Sequence, residues 1–154
     1  MKKLGFVDLS LYEFKQRSSL KPKLLWVRSF AEIYNPILAV ELVHKLKQQY
    51  LEAQLCMIGP DKDGSLEKCK EHAEKLGVQA QFPGKLSREA WCSMAAEYDI
   101  FINTTHYDNT PVSLIEAMVL GLPVISTEVG GIPYLIRHQE NGLLVPDGDA
   151  QAFI

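Results

Sequence analysis

A doubly wound α/β fold, with a parallel sheet of about six strands and helices on both faces, is what the sequence predicts. Three observations lead to it. Short apolar runs alternate with longer stretches of helical periodicity along the 154 residues, which is the pattern of βαβ units. Gly and Pro stand at the joints, at Gly59-Pro60, Gly77, Pro83-Gly84, Gly121 and Asn141-Gly142. Polar and charged residues follow several of the strand-like runs, as at Arg28-Ser29 and Gly84-Lys85, which is where such a sheet binds its ligand.

The elements follow in order. Residues 1–22 read as a linker or domain start, with a strand-like run at 4–7 and a basic loop, leading into a domain over 23–154. The first buried strand covers 24–27 and contains Trp26. Pro36 opens a helix running to 50, because its missing N–H costs nothing in the first turn. Its apolar face is Ile37, Val40, Leu42 or Val43, and Leu46. A strand over 53–58 stops at Gly59-Pro60. The next helix covers 65–76, with Ser65 as N-cap, Leu66, Cys69, Ala73 and Leu76 inward, and Gly77 as its stop. A strand over 78–82 ends at Pro83-Gly84. Ser87 caps a helix to 96, with Glu89 in its first turn. There follow a strand over 99–103, a helix over 111–120, a strand over 123–127, a short helix over 132–137 and a strand over 142–145. From 149 the chain reads as a first helical turn without a C-terminal cap, so a piece of a longer protein is expected.

Composition excludes some classes. Apolar residues make up 47% and charged residues 23%, the balance of an ordinary globular domain. A net charge of −3 argues against a general binder of nucleic acid or anionic membrane. No apolar run approaches the roughly 18 residues of a membrane span, and no signal peptide is legible at the start, so a cytoplasmic protein is expected. Cys56, Cys69 and Cys92 are odd in number and far apart, which reads as buried free thiols.

Function concentrates in residues 106–131, HYDNTPVSLIEAMVLGLPVISTEVGG. Asp108, Asn109 and Thr110 precede a helix. Val112 and Glu116 share one of its faces near the N-terminus, where a carboxylate is favoured by the helix dipole. Exposed helix N–H groups take phosphate, and carboxylates take hydroxyls. The set therefore suits a ligand with hydroxyls at its ends and phosphate in the middle.

The same stretch resembles the signature of the group 1 (family 4-like) glycosyltransferases, retaining sugar transferases with two facing Rossmann-like domains, the GT-B architecture. Two acidic residues spaced by seven others are followed by Glu116-Ala117-Met118, Gly121-Leu122-Pro123-Val124 and Gly130-Gly131-Ile132-Pro133. Asp108 stands where Glu is commoner. The resemblance covers about 20–146 and combines spacing with strand–helix context.

It implies the C-terminal, donor-binding domain of an enzyme that moves a hexose-type sugar from a nucleotide diphosphate sugar to a saccharide or other hydroxyl acceptor, as in polysaccharide biosynthesis. The nucleotide sugar would be the donor substrate, with no metal or other cofactor implied. An N-terminal domain of the same chain would carry the acceptor site. No nucleic-acid partner is implied, and membrane association would be peripheral only. Alone, this chain should bind nucleotide weakly and transfer nothing.

By the same resemblance, Arg28 and the helix amides would stabilise charge on the leaving diphosphate. Asp108 would hold hydroxyls of the donor sugar and Glu116 those of the ribose. Thr110, Val112 and Ser113 would offer N–H groups beside Asn109. The family usually has a lysine shortly after the arginine; here Ala31-Glu32-Ile33-Tyr34-Asn35 fills that segment, and Lys85 is the candidate second cation. Pro111 lacks the N–H of the usual Gly, and Tyr134 stands where Glu is common.

Two other classes remain open: a Rossmann-like nucleotide-binding module without chemistry, and a sugar-nucleotide epimerase of related shape. The Asp108/Glu116 pair argues for the transferase. Asp61-Lys62-Asp63 and Asp147-Gly148-Asp149 resemble a metal-binding Asp-x-Asp pattern but sit among turn residues, where Asp is common for conformational reasons. Asn103-Thr104-Thr105 is a glycosylation sequon by letters only. His106 reads as a surface residue.

Overall fold

The computed structural model describes residues 3–4, 7–8, 14–16, 20–108 and 111–153. A short antiparallel pair, β1 (Lys3–Leu4) with β2 (Val7–Asp8), stands apart from the main sheet. The main sheet holds β3 (Lys23–Val27), β4 (Gln54–Ile58), β5 (Ala80–Gly84), β6 (Ile100–Asn103), β7 (Val124–Thr127) and β8 (Leu143–Val145). Their order is β5-β4-β3-β6-β7-β8, and every pairing is parallel. This is the expected doubly wound, Rossmann-like sheet of six strands.

Strand side chains alternate between faces, and the two faces build separate cores. Leu24 and Trp26 of β3 and Leu55 and Met57 of β4 pack under α1 (Pro36–Leu46) and α2 (Ser65–Leu76). Leu25, Cys56, Phe101 and Val124 point the other way, under α3 (Arg88–Ala95), α4 (Val112–Val119) and α5 (Ile132–Leu135). The chain winds outward from β3 to β5, returns through α3 to place β6 beside β3, and winds outward again. Helices that leave the carboxyl ends of β3 and β6 diverge to opposite faces, so a crevice opens between them.

Local chemistry explains where the elements depart from the expected bounds. Helix α1 stops at Leu46 rather than 50, because Lys47, Gln48 and Gln49 offer no apolar group to the sheet. Gly64, at φ 88°, caps α2, and Ser65 is already helical. Asp63 accepts from the Ser65 N–H at 3.1 Å and from its hydroxyl, so a side chain two residues earlier takes the capping part assigned to Ser65. Strand β5 runs two residues later than expected and includes Pro83. An edge strand tolerates the missing donor. Ser87 caps α3 as expected, accepting from Ala90 N–H at 3.2 Å. Among the described residues no helix is long and apolar enough to cross a membrane.

Candidate functional site

The carboxyl ends of β3, β4 and β5 form the floor of a cleft of about 400 Å³, walled by α3 and the first turn of α4. The floor is backbone. The Arg28 N–H bonds to the Ile58 carbonyl at 3.0 Å, and the Gly59 N–H to the Gly84 carbonyl at 3.0 Å. Gly59 has φ 150°, and a Cβ there would run into the Arg28 carbonyl. Only glycine lets the two strand ends lie this close.

Arg28, Lys85 and Ser113 all line this cleft. So does Lys62, which the turn reading of Asp61-Lys62-Asp63 passed over. Beyond β3 and β4 the two chains keep pairing: Phe30 N–H bonds to Pro60 O at 2.7 Å and Lys62 N–H to Phe30 O at 3.0 Å. That extension carries Lys62 onto the cleft. Its flanking aspartates are turn residues, as expected: Asp61 accepts from Gly64 N–H at 3.0 Å and Asp63 from Glu32 N–H at 2.8 Å. Accepting the Ser65 hydroxyl, and after it the Glu32 N–H, holds the Asp63 carboxyl below its ordinary range. Three cations therefore face one cavity, and the usable signal for the third was its place just after a strand end.

Arg28 pairs with the Asp108 carboxylate, with the two side chains 20% and 12% exposed. Its guanidinium carbon sits 4.3 Å above the centre of the Tyr34 ring. Asp108 is held in turn by the Gly130-Gly131 loop. The Gly131 N–H bonds to the Asp108 carbonyl at 2.8 Å, and at Gly130, φ 54°, a Cβ would collide with that same carbonyl. Asp108 and the Gly130-Gly131 motif of the sequence are thus one spatial unit. Asn109 and Thr110 lie outside the described residues.

Helix α4 aims its first turn at the cleft, with the Pro111 carbonyl accepting from Leu114 N–H at 3.1 Å. Ser113 reaches the cavity, while Val112 is exposed on the rim. Glu116 is one turn further along α4 and half-buried. It faces α3, where its charge adds to burial in pushing the Cys92 thiol up to about 11. Arg28, Asp108, Lys85 and Ser113 are brought together around the cleft, whereas Glu116 stands on its α3 side and does not line it. Tyr134 is 95% exposed on α5.

Several smaller readings resolve. His106 has a partner: its Nδ1 lies 2.9 Å from Asp147 Oδ1, so it is more than a bare surface histidine. The partner is 41 positions away, beyond any local pattern. Asp149 accepts from Ala152 N–H at 3.1 Å as a turn residue. Asn103, Thr104 and Thr105 are buried, with Asn103 Nδ2 donating to Ser126 Oγ at 3.1 Å, so the sequon letters are part of the core. Cys56 and Cys69 are buried and Cys92 is half-buried, all three unbridged.

A parallel sheet of this order, with helices on both faces and a cationic cleft at the carboxyl ends of β3, β4 and β5, defines a Rossmann-like domain. The model of the family described as glycosyl transferases group 1 matches residues 12–154, and this chain belongs to that family. Amylovoran biosynthesis glycosyltransferase AmsK of Erwinia amylovora is 58% identical over 45 residues, 29% of this chain and 11% of its own length. N-acetyl-alpha-D-glucosaminyl L-malate synthase of Bacillus anthracis is 27% identical over 158 residues, 94% of this chain and 40% of its own. Among solved structures, that of Anabaena HepE in complex with UDP and glucose matches with a TM-score of 0.76 at 18% identity, over 84% of this chain and 36% of that one. This last is a likeness of fold. The chain spans 40% or less of each of these three proteins.

Proposed function

We propose that this chain is the donor-binding domain of a retaining glycosyltransferase that moves a hexose-type sugar from a nucleotide diphosphate sugar to a saccharide or other hydroxyl acceptor. The observation that carries the reading is the convergence of Arg28, Lys62 and Lys85 with the first turn of α4 on one cleft. A diphosphate gains charge as the sugar leaves it, and fixed cations and helix amides aimed at that charge lower the barrier. Arg28 gives the directional contact, since its planar fork matches phosphate oxygens. Lys62 and Lys85 act as point charges. Asp108, beside Arg28, takes hydroxyls of the donor sugar, and Glu116 takes those of the ribose. The UDP and glucose held by Anabaena HepE support a donor of this class. The acceptor site belongs to a further domain, so the isolated chain binds donor and transfers nothing.

Calorimetric titration with UDP, GDP, ADP and their sugar conjugates tests this. One nucleotide should bind, and Arg28→Ala should weaken it about tenfold or more, the loss of a charged hydrogen-bonded contact. Glu116→Ala should cost affinity for the nucleoside part. A folded chain that binds none of them would sink the reading and favour a module without donor chemistry.

A further inference from the structure

Arg28 is held on two sides, by the Asp108 carboxylate at one end and by the Tyr34 ring below it. Its Nε lies on the same edge of the fork as the paired Nη2. That Nε is buried and has no hydrogen-bond partner among the described residues. An arginine is costly to immobilise, and an aromatic face restrains it without consuming any of its N–H donors.

Tyr34 is fixed from behind. The Thr104 hydroxyl lies 3.0 Å from its carbonyl, and the neighbouring Ile33 carbonyl accepts from the His106 N–H at 2.8 Å. Asn35 then takes the left-handed conformation at φ 48°, which ends the 3₁₀ turn Glu32–Tyr34. The Thr104 hydroxyl also accepts from Trp26 Nε1 at 3.0 Å. A continuous path runs from the buried Trp26 through Thr104 and Tyr34 to Arg28.

We propose that Tyr34 is a positioning residue for the diphosphate: its ring holds the Arg28 guanidinium flat, so that the Nε–Nη2 edge meets phosphate when Asp108 yields. The inference rests on the donor-binding reading, because Arg28 must be the phosphate ligand. It gives a role to the segment in which the family's lysine is missing. That segment supplies no second cation; it orients the first.

The test is a double-mutant cycle on this chain, read by calorimetry with UDP and inorganic pyrophosphate as probes and by thermal unfolding to confirm that each variant folds. Tyr34→Leu should weaken both probes about fivefold, the size of a cation–π contact in a partly desolvated site. Tyr34→Phe keeps the ring and should stay within about twofold. In an Arg28→Ala background Tyr34→Leu should cost nothing further, since a group acting through Arg28 has nothing left to orient.

A Tyr34→Leu loss that persists without Arg28, or a Tyr34→Phe loss equally large, would overturn the inference by showing direct contact with the ligand. Full affinity in Tyr34→Leu would overturn it as well. These three outcomes leave the donor-binding reading intact. Arg28→Ala binding both probes like the unaltered chain would remove that reading and this inference together.

Discussion

At the scale of single residues, the arginine of the cleft comes with its own anion. Asp108 neutralises Arg28 at the point where a diphosphate would bind, so a ligand must displace or share that contact. Partly exposed ion pairs contribute up to about 1 kcal/mol, which limits the competition to a few-fold. Asp108→Asn should therefore bind UDP about 2- to 5-fold tighter, from the released arginine. The same variant should lose part of the extra affinity for a UDP-sugar over UDP, because the amide is a poorer acceptor for sugar hydroxyls. Calorimetry of the two ligands, side by side, measures both. Weaker UDP binding in Asp108→Asn would show that the carboxylate orients Arg28 rather than competing for it.

At the scale of elements, the strand ends are tied together by buried hydroxyls. Thr104, fully buried after β6, accepts from Trp26 Nε1 of β3 and reaches the carbonyls of Tyr34 and Asn35 at 3.0 and 2.9 Å. Thr127, the last residue of β7, donates to the Thr105 carbonyl at 2.6 Å. Thr104→Val keeps the shape but leaves an indole N–H without its acceptor, and should cost about 1–3 kcal/mol in urea denaturation. A loss under about 0.5 kcal/mol would mean that the indole finds another acceptor. The strands and helices themselves were legible, since apolar runs, caps and glycines announce them locally. What misled was one tertiary contact pattern and one local substitution of a cap. Pro83 reads as a strand end only until β5 is known to be an edge, and Ser65 reads as a cap only until Asp63 is seen to take that place.

At the scale of the whole molecule, the parallel sheet and its carboxyl edge followed from βαβ alternation, whereas the strand order did not. Arg28, Lys85 and Asp108 could be placed on that edge by counting from strand ends, and Ser113 from the start of a helix. Lys62 left only its place after a strand end, and its seat on the cleft needed the Phe30 pairing; Tyr34 needed the turn pinned by Thr104 and His106 a partner from beyond β8, and neither leaves a local trace. The thiols belong to this scale too, because packing of α2 and α3 sets their chemistry. Burial pushes Cys69 up to about 12, and burial with the Glu116 charge pushes Cys92 up to about 11, from the ordinary 9.0. A thiol raised in the folded state disfavours its thiolate there, while the unfolded chain ionises near its ordinary value. Their contribution to stability is thus complete below about pH 9 and falls as pH rises toward 11 and 12. Lysines and tyrosines titrate in the same window, so the comparison must be internal. Urea denaturation between pH 8 and 11.5 should show a steeper loss above pH 9 for the unaltered chain than for Cys69→Ala. Parallel curves would mean that Cys69 ionises in the folded chain as readily as in the unfolded one, and that α2 packs too loosely over the sheet to exclude water.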